Sequence, residues 1–143
     1  MEGYADALIT AGLSLQSPQV HILECENSLE GGAEAFHSLW QITPRPTAVV
    51  AMSDIIALGI LKEASEYGIE VPSQFSVAGF DGVPETQLST PPLTTVYQPS
   101  REKGERAAEL LVRLLMGERV NEHLTLPTRL VVRASVAAPS PHV

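Results

Sequence analysis

Asp81 and Ser53 are the side chains whose type and position could do chemistry in this sequence. Asp81 follows the apolar run 76–80 and precedes Gly82. A carboxylate there can accept hydrogen bonds from the hydroxyl or amide groups of a small ligand. An Asp before glycine can equally bond its own backbone in a turn. Both readings stand on the residues alone. Ser53 and Asp54 pose a similar choice: one supplies the N-cap oxygen of the following helix. The other is left to face a crevice, where the helix N-terminus adds partial positive charge. Nothing supports catalysis. His21, His37, His123 and His142 are scattered, with no carboxylate or cysteine at metal-ligand spacing. There is no G-x-S-x-G elbow and no Walker loop, and the Gly79–Gly82 turn lacks the spacing of a dinucleotide fingerprint. No enzymatic activity, metal or cofactor is expected. The histidines read as surface residues. Cys25 reads as a buried, inert thiol at a strand end. Glu102, Glu105 and Glu109 read as a solvated helix face.

The elements that must position Ser53 and Asp81 lie in the stretch 45–82. Residues 47–51 (TAVVA) are a short apolar run after Pro44 and Pro46, which suits a buried parallel strand. Residues 55–66 favour helix; Gly68 can end it and Pro72 forbids its continuation. Residues 76–80 (SVAGF) form a second apolar strand, broken at Asp81-Gly82. Two strands joined by a helix lie parallel with a right-handed crossover. Both then end at one edge of the sheet, where open parallel sheets bind small ligands.

Around this unit the pattern predicts a helix over 2–13, a strand over 19–25 (QVHILEC) and a helix from an Asn27-Ser28 cap to about Gln41. It continues with a strand over 93–98, a helix over 101–116 capped by Ser100 and stopped at Gly117, and strands over 124–126 and 129–136. Gly31-Gly32 weakens the second helix by roughly 1 kcal/mol per glycine, tolerable where a backbone or ligand must approach closely. Alternation of helix and strand argues for an α/β parallel sheet. Ile55, Ile56, Ala57, Leu58, Ile60 and Leu61 cover more of the central helix than one sheet requires. The excess faces either another subunit or a neighbouring helix or loop. Leu110, Leu111, Leu114 and Leu115 form a stripe on the last helix; uncovered, such a stripe drives association between chains.

The 143 residues carry a net charge of −8 and no basic cluster, so nucleic-acid binding by these residues themselves is not expected. No apolar run approaches the roughly 20 residues that span a bilayer, and the first residues do not form a signal peptide. One cysteine permits no intramolecular disulfide, and a reducing cytoplasm is the default location. A helix pattern starts almost at once after Met1, without a preceding strand, so a longer protein is expected to have lost its front end here. The tail over 139–143 is expected to be disordered.

The series PTAVV–SD–ALG–GI–VP–SV–GFDG over 46–82, then PPLTTVYQP over 91–99, the helix 104–117 and RLVVRASV over 129–136 together resemble the C-terminal part of a LacI-family transcriptional regulator. Order and spacing match over nearly the whole chain. The resemblance implies a periplasmic-binding-protein-like (type I) fold, a parallel sheet with helices on both faces. It implies that residues 1–93 belong to the C-terminal effector-binding subdomain. Residues 94–127 would be a crossover and a helix of the other subdomain, and 128–138 a return strand. A DNA-binding headpiece and most of the other subdomain would precede Met1, as would the family's effector-clamping Arg. The implied function is small-molecule effector binding and dimerisation within a DNA-binding regulator; a solute-binding protein of a transport system with the same fold is the alternative. The implied effector is a sugar or nucleobase-like molecule. Asp81 matches a residue that hydrogen-bonds it, Ser53 a polar effector contact and Gln98 a crossover residue that can face the cleft. Asn27 falls near a position that commonly holds a stacking aromatic, so either the alignment slips there or the ligand differs. Ile55, Leu58 and Leu61 match the dimerisation helix of a homodimer.

Overall fold

The structure is a computed structural model that describes residues 2–138; the tail expected over 139–143 lies outside the described residues. The elements in order are α1 (Glu2–Thr10), α2 (Leu29–Trp40), β1 (Ala48–Val50), α3 (Asp54–Glu66), β2 (Ser76–Asp81), a 3-10 turn (Pro84–Gln87), β3 (Thr94–Tyr97), α4 (Ser100–Leu115) and β4 (Arg129–Val131). They build an open α/β sheet in the order β1-β2-β3-β4. The first three strands run parallel and β4 returns antiparallel to β3.

The central unit forms as its residues dictate. Ser53 caps α3, its Oγ accepting from the Ile56 amide at 3.5 Å. Gly68, at φ +69°, turns the chain out of the helix. Register places Val49 beside Val77 and Gly79 beside Thr95, so these residues share one face of the sheet. On that face Ala57, Ile60 and Ala64 of α3 bury Val77, Phe75 and Leu93. α2 packs outside α3 and adds Phe36 and Leu39. Phe36 stacks on Trp40 at 5.3 Å and meets Phe75 edge-on at 6.3 Å. His37 joins the two helices through Glu63 at 3.0 Å.

The glycine pair in α2 serves a backbone approach. A Cβ on Gly32 would run into the carbonyl of Ile56, and one on Gly59 of α3 into the carbonyl of Leu29. The two helices therefore cross backbone to backbone, and the cost in helix propensity is offset by that contact.

Several expectations need correction. Residues 19–25 form no strand, because among the described residues no strand lies along the outer edge of β1 for them to join, and an alternating pattern without a ladder partner is not held extended. Ile22 and Leu23 are exposed there. Cys25, with no strand around it, is exposed rather than buried. Residues 124–126 likewise lie outside the sheet. The strand expected over 129–136 ends at Val131; beyond it Ser135 wedges between the starts of β2 and β3. Its carbonyl accepts from the Val77 amide, and its hydroxyl accepts from the Thr94 amide and donates to the Val77 carbonyl. Ser100 is the first residue of α4 and not its cap; Pro99 precedes it and offers no side-chain acceptor. α3, backed by α2, lies over the face of the sheet that carries Val77. On the other face Val50 and Leu130 are 58% and 62% exposed.

α4 buries none of its residues. Leu111, Leu114 and Leu115 stay exposed. Its C-terminal turn is tied to the following loop by Arg113, which bonds Glu118 and Glu122, each at 2.8 Å; both contacts hold the guanidinium above its ordinary pKa. The 143-residue chain in isolation is expected to self-associate through that stripe; light scattering that reports a monodisperse monomer would count against it. Gly59→Ala should force α2 and α3 apart and lower stability by about 1–3 kcal/mol in urea unfolding. An unchanged midpoint would show that the helices can separate freely.

Candidate functional site

Because β1, β2 and β3 run the same way, their C-terminal ends meet at one edge of the sheet. Ser53 follows β1, Asp81 closes β2 and Gln98 follows β3. Asn27, just before α2, joins them. The four side chains form two pairs. The Ser53 hydroxyl donates to Asn27 Oδ1 at 2.5 Å. Gln98 Nε2 donates to Asp81 Oδ1 at 2.7 Å, and the Gln98 amide N–H donates to the Asp81 carbonyl at 3.1 Å. Lys103, in the first turn of α4, donates from Nζ to Gln98 Oε1 at 3.1 Å.

The two pairs differ in access. Ser53 is only 7% exposed, with its oxygen occupied by the helix cap and Asn27. Asn27 is exposed and Asp81 half-buried. The open polar groups at this edge are thus the Asp81 carboxylate and the Asn27 and Gln98 amides. Asp81 also sits at φ +121°, a region that an L side chain seldom adopts and that is held only where the surroundings enforce it.

The enforcing group is Asp54. Of the Ser53–Asp54 choice, Ser53 is the cap, and Asp54 points away from any crevice into the core. It is fully buried. Its Oδ2 accepts from the amides of Gly82 at 2.6 Å and Val83 at 2.8 Å, and its Oδ1 from Thr95 Oγ1 at 2.5 Å. No cation balances it in the bonds described, but three donors and the N-terminal end of α3 do. Gly79 makes room, since a Cβ there would run into Asp54 Oδ1. Asp54 therefore fastens the turn after Asp81 to both α3 and β3. Arg133 adds a second brace: its Nη1 donates to the Leu93 carbonyl at 2.5 Å and to Thr86 Oγ1 at 2.9 Å.

Sequence reasoning left Asp54 with a choice of roles and did not single out Lys103 or Arg133. A signal for Asp54 was present: a glycine inside an apolar strand marks a place where another group comes close. Lys103 and Arg133 carry no comparable local signature. Of the helix residues matched to dimerisation, Leu61 is 4% exposed and belongs to the core of its own chain, so it offers no surface to a partner. α2 and the sheet absorb most of the broad apolar face of α3. Ile55, 38% exposed, and Leu58, half-buried, remain at the surface.

Among the described residues no cluster of three or more histidine, cysteine or acidic side chains could hold a metal, and no helix is long and apolar enough to cross a membrane.

Comparison with known proteins gives the following. The periplasmic binding protein-like domain matches over residues 1–136. The transcriptional repressor CytR of Escherichia coli (strain K12), of the HTH type, is 37% identical over 139 residues, covering 96% of this chain and 40% of the repressor. The lactose operon repressor of Rhizobium radiobacter is 39% identical over 111 residues, which is 78% of this chain and 98% of that one. A LacI family transcriptional regulator from Enterococcus faecium, solved with bound ribose, superposes with a TM-score of 0.86 at 30% identity over 95% of this chain and 49% of that chain. The chain thus spans about 40% of the length of the CytR repressor it matches.

Asp54→Ala should leave the Gly82 and Val83 amides and the Thr95 hydroxyl without their acceptor. The expected loss is roughly 2–5 kcal/mol of stability in urea unfolding. A loss below about 1 kcal/mol would mean that another group can take over those donors.

Proposed function

The chain belongs to the LacI family of transcriptional regulators, and from that premise we propose that it is the effector-binding core of a DNA-binding transcriptional regulator. The observation that carries the reading is the delivery of Asp81, Gln98 and the Asn27–Ser53 pair to one edge by three parallel strands. Asp81 accepts hydrogen bonds from effector hydroxyl or amide groups, while Asn27 and Gln98 supply complementary donors and acceptors. Ser53 acts through Asn27, holding the amide in place. The effector is a sugar or a nucleobase-like molecule; the ribose bound by the Enterococcus faecium relative supports a sugar.

The chain divides functionally after β3 and again near 128, not at 94 as expected, because β3 pairs with β2 and β4 in one sheet; residues 1–97 and 128–138 lie on one side of a cleft and the crossover after β3 with α4 on the other. Effector binding shifts the orientation of the two sides, and with it the spacing of DNA-binding headpieces in a homodimer. Such a switch needs a ligand that prefers one of two states. Ile55 and Leu58 contribute to the dimer contact, and DNA is bound by a headpiece elsewhere in the protein. The protein works in the cytoplasm. The matched relatives named are transcriptional repressors and regulators, which favours regulation over solute transport and over catalysis.

In titration calorimetry on the intact protein, Asp81→Ala should weaken effector binding by roughly 1–3 kcal/mol. Unchanged affinity would remove Asp81 from the site.

A further inference from the structure

We propose that the effector of this protein is a polyhydroxylated molecule that carries an oxyanion, and that Lys103 recognises the oxyanion while Asp81 takes a hydroxyl. The inference deepens the effector-binding reading above and rests on it.

The Gln98 side chain stands between Asp81 and Lys103, with its N–H₂ end on the carboxylate and its C=O end on the ammonium. Only this orientation of the amide gives both neighbours a partner. One end donates to an anion and the other accepts from a cation, at the width of a single amide group. That is the pattern a ligand would present with a hydroxyl directed at Asp81 and an anionic oxygen directed at Lys103. The Gln98 amide thus marks the spacing that such a ligand would span. A hydroxyl and an oxyanion make stronger bonds to these groups than a neutral amide does, because each contact then joins a charge to a better-matched partner.

The charge balance of α4 singles out Lys103. Arg101, Arg106 and Arg113 of the same helix are each ion-paired to a glutamate, at 2.9, 3.0 and 2.8 Å. In a chain with 17 acidic residues against 9 basic ones, Lys103 alone among the helix's cations has no carboxylate within ion-pair distance among the described residues. Its ammonium carries three N–H groups, one of which goes to Gln98. There is room beside it: Gln98, Lys103, Arg106, Leu110, Leu124 and Leu126 are among the residues that line a hollow of about 270 Å³. A phosphate or a carboxylate attached to a sugar fits this description equally; the shared chemistry is the oxyanion.

The test is titration calorimetry on the intact protein with four probes: ribose, ribose 5-phosphate, glucose and gluconate. At least one anionic probe should bind more tightly than its neutral counterpart by about tenfold, with affinity falling as salt rises. A phosphate is the anion if ribose 5-phosphate shows this gain, a carboxylate if gluconate does. Lys103→Met should abolish the gain, so that the anionic and neutral probes then bind alike; Lys103→Arg should keep most of it. Lys103 is exposed, so both variants should melt with the parent protein. The proposal is overturned if neither anionic probe binds, if neutral and anionic members bind alike, or if Lys103→Met leaves the anionic affinity as it was. Anionic-probe binding that is lost in Asp81→Ala but indifferent to Lys103→Met overturns the oxyanion alone and leaves the effector-binding reading intact.

Discussion

The rest of this structure depends on the burial of the Asp54 carboxylate. A lone carboxylate away from water is costly unless its oxygens are well bonded. Here two backbone amides and a hydroxyl meet it, and the helix that carries it lends its positive end. The consequence is geometric. α3, the turn after β2 and the third strand are fixed to one point, and that point lies next to Asp81. A residue held at an unfavourable positive φ keeps its place only under such constraint. The site is therefore stiff where the ligand is expected and relies on a side chain that never touches it.

The second constraint is the crossing of α2 and α3. Glycines on both helices bring backbone against backbone, so α3 is enclosed by the sheet on one side and α2 on the other. This also sets Asn27 and Ser28, at the entry to α2, beside Ser53 at the entry to α3. The polar edge is thus assembled by the same helix contact that seals the core.

Much of this was legible in the residues. The central strand–helix–strand unit, the Ser53 cap, the Gly68 stop and the shared edge of Ser53 and Asp81 all follow from local signals: an apolar run, a capping oxygen, a glycine at the right place. What failed were elements whose identity depends on a distant neighbour. QVHILEC alternates as a strand does, but no ladder lies beside it. RLVVRASV leaves the sheet after three residues because Ser135 finds better partners in the backbones of two other strands. Leu61 reads as a surface residue in excess of one sheet's needs only until a second helix is known to cover it. The role of Asp54 required knowing that residues 28 and 41 positions further along come back to it.

The wedge made by Ser135 bears on how the chain matures. It closes the gap between the starts of β2 and β3, and its partner Val77 lies 58 positions earlier. During synthesis from the N-terminus, helices and the β1–α3–β2 unit can form early from nearby residues. The start of the seam between the second and third strands cannot, since its closing piece is made 58 residues after Val77. Until then the growing polypeptide carries a gap at the starts of these two strands, with the backbone of Val77 open to pairing with any strand that a crowded cell presents.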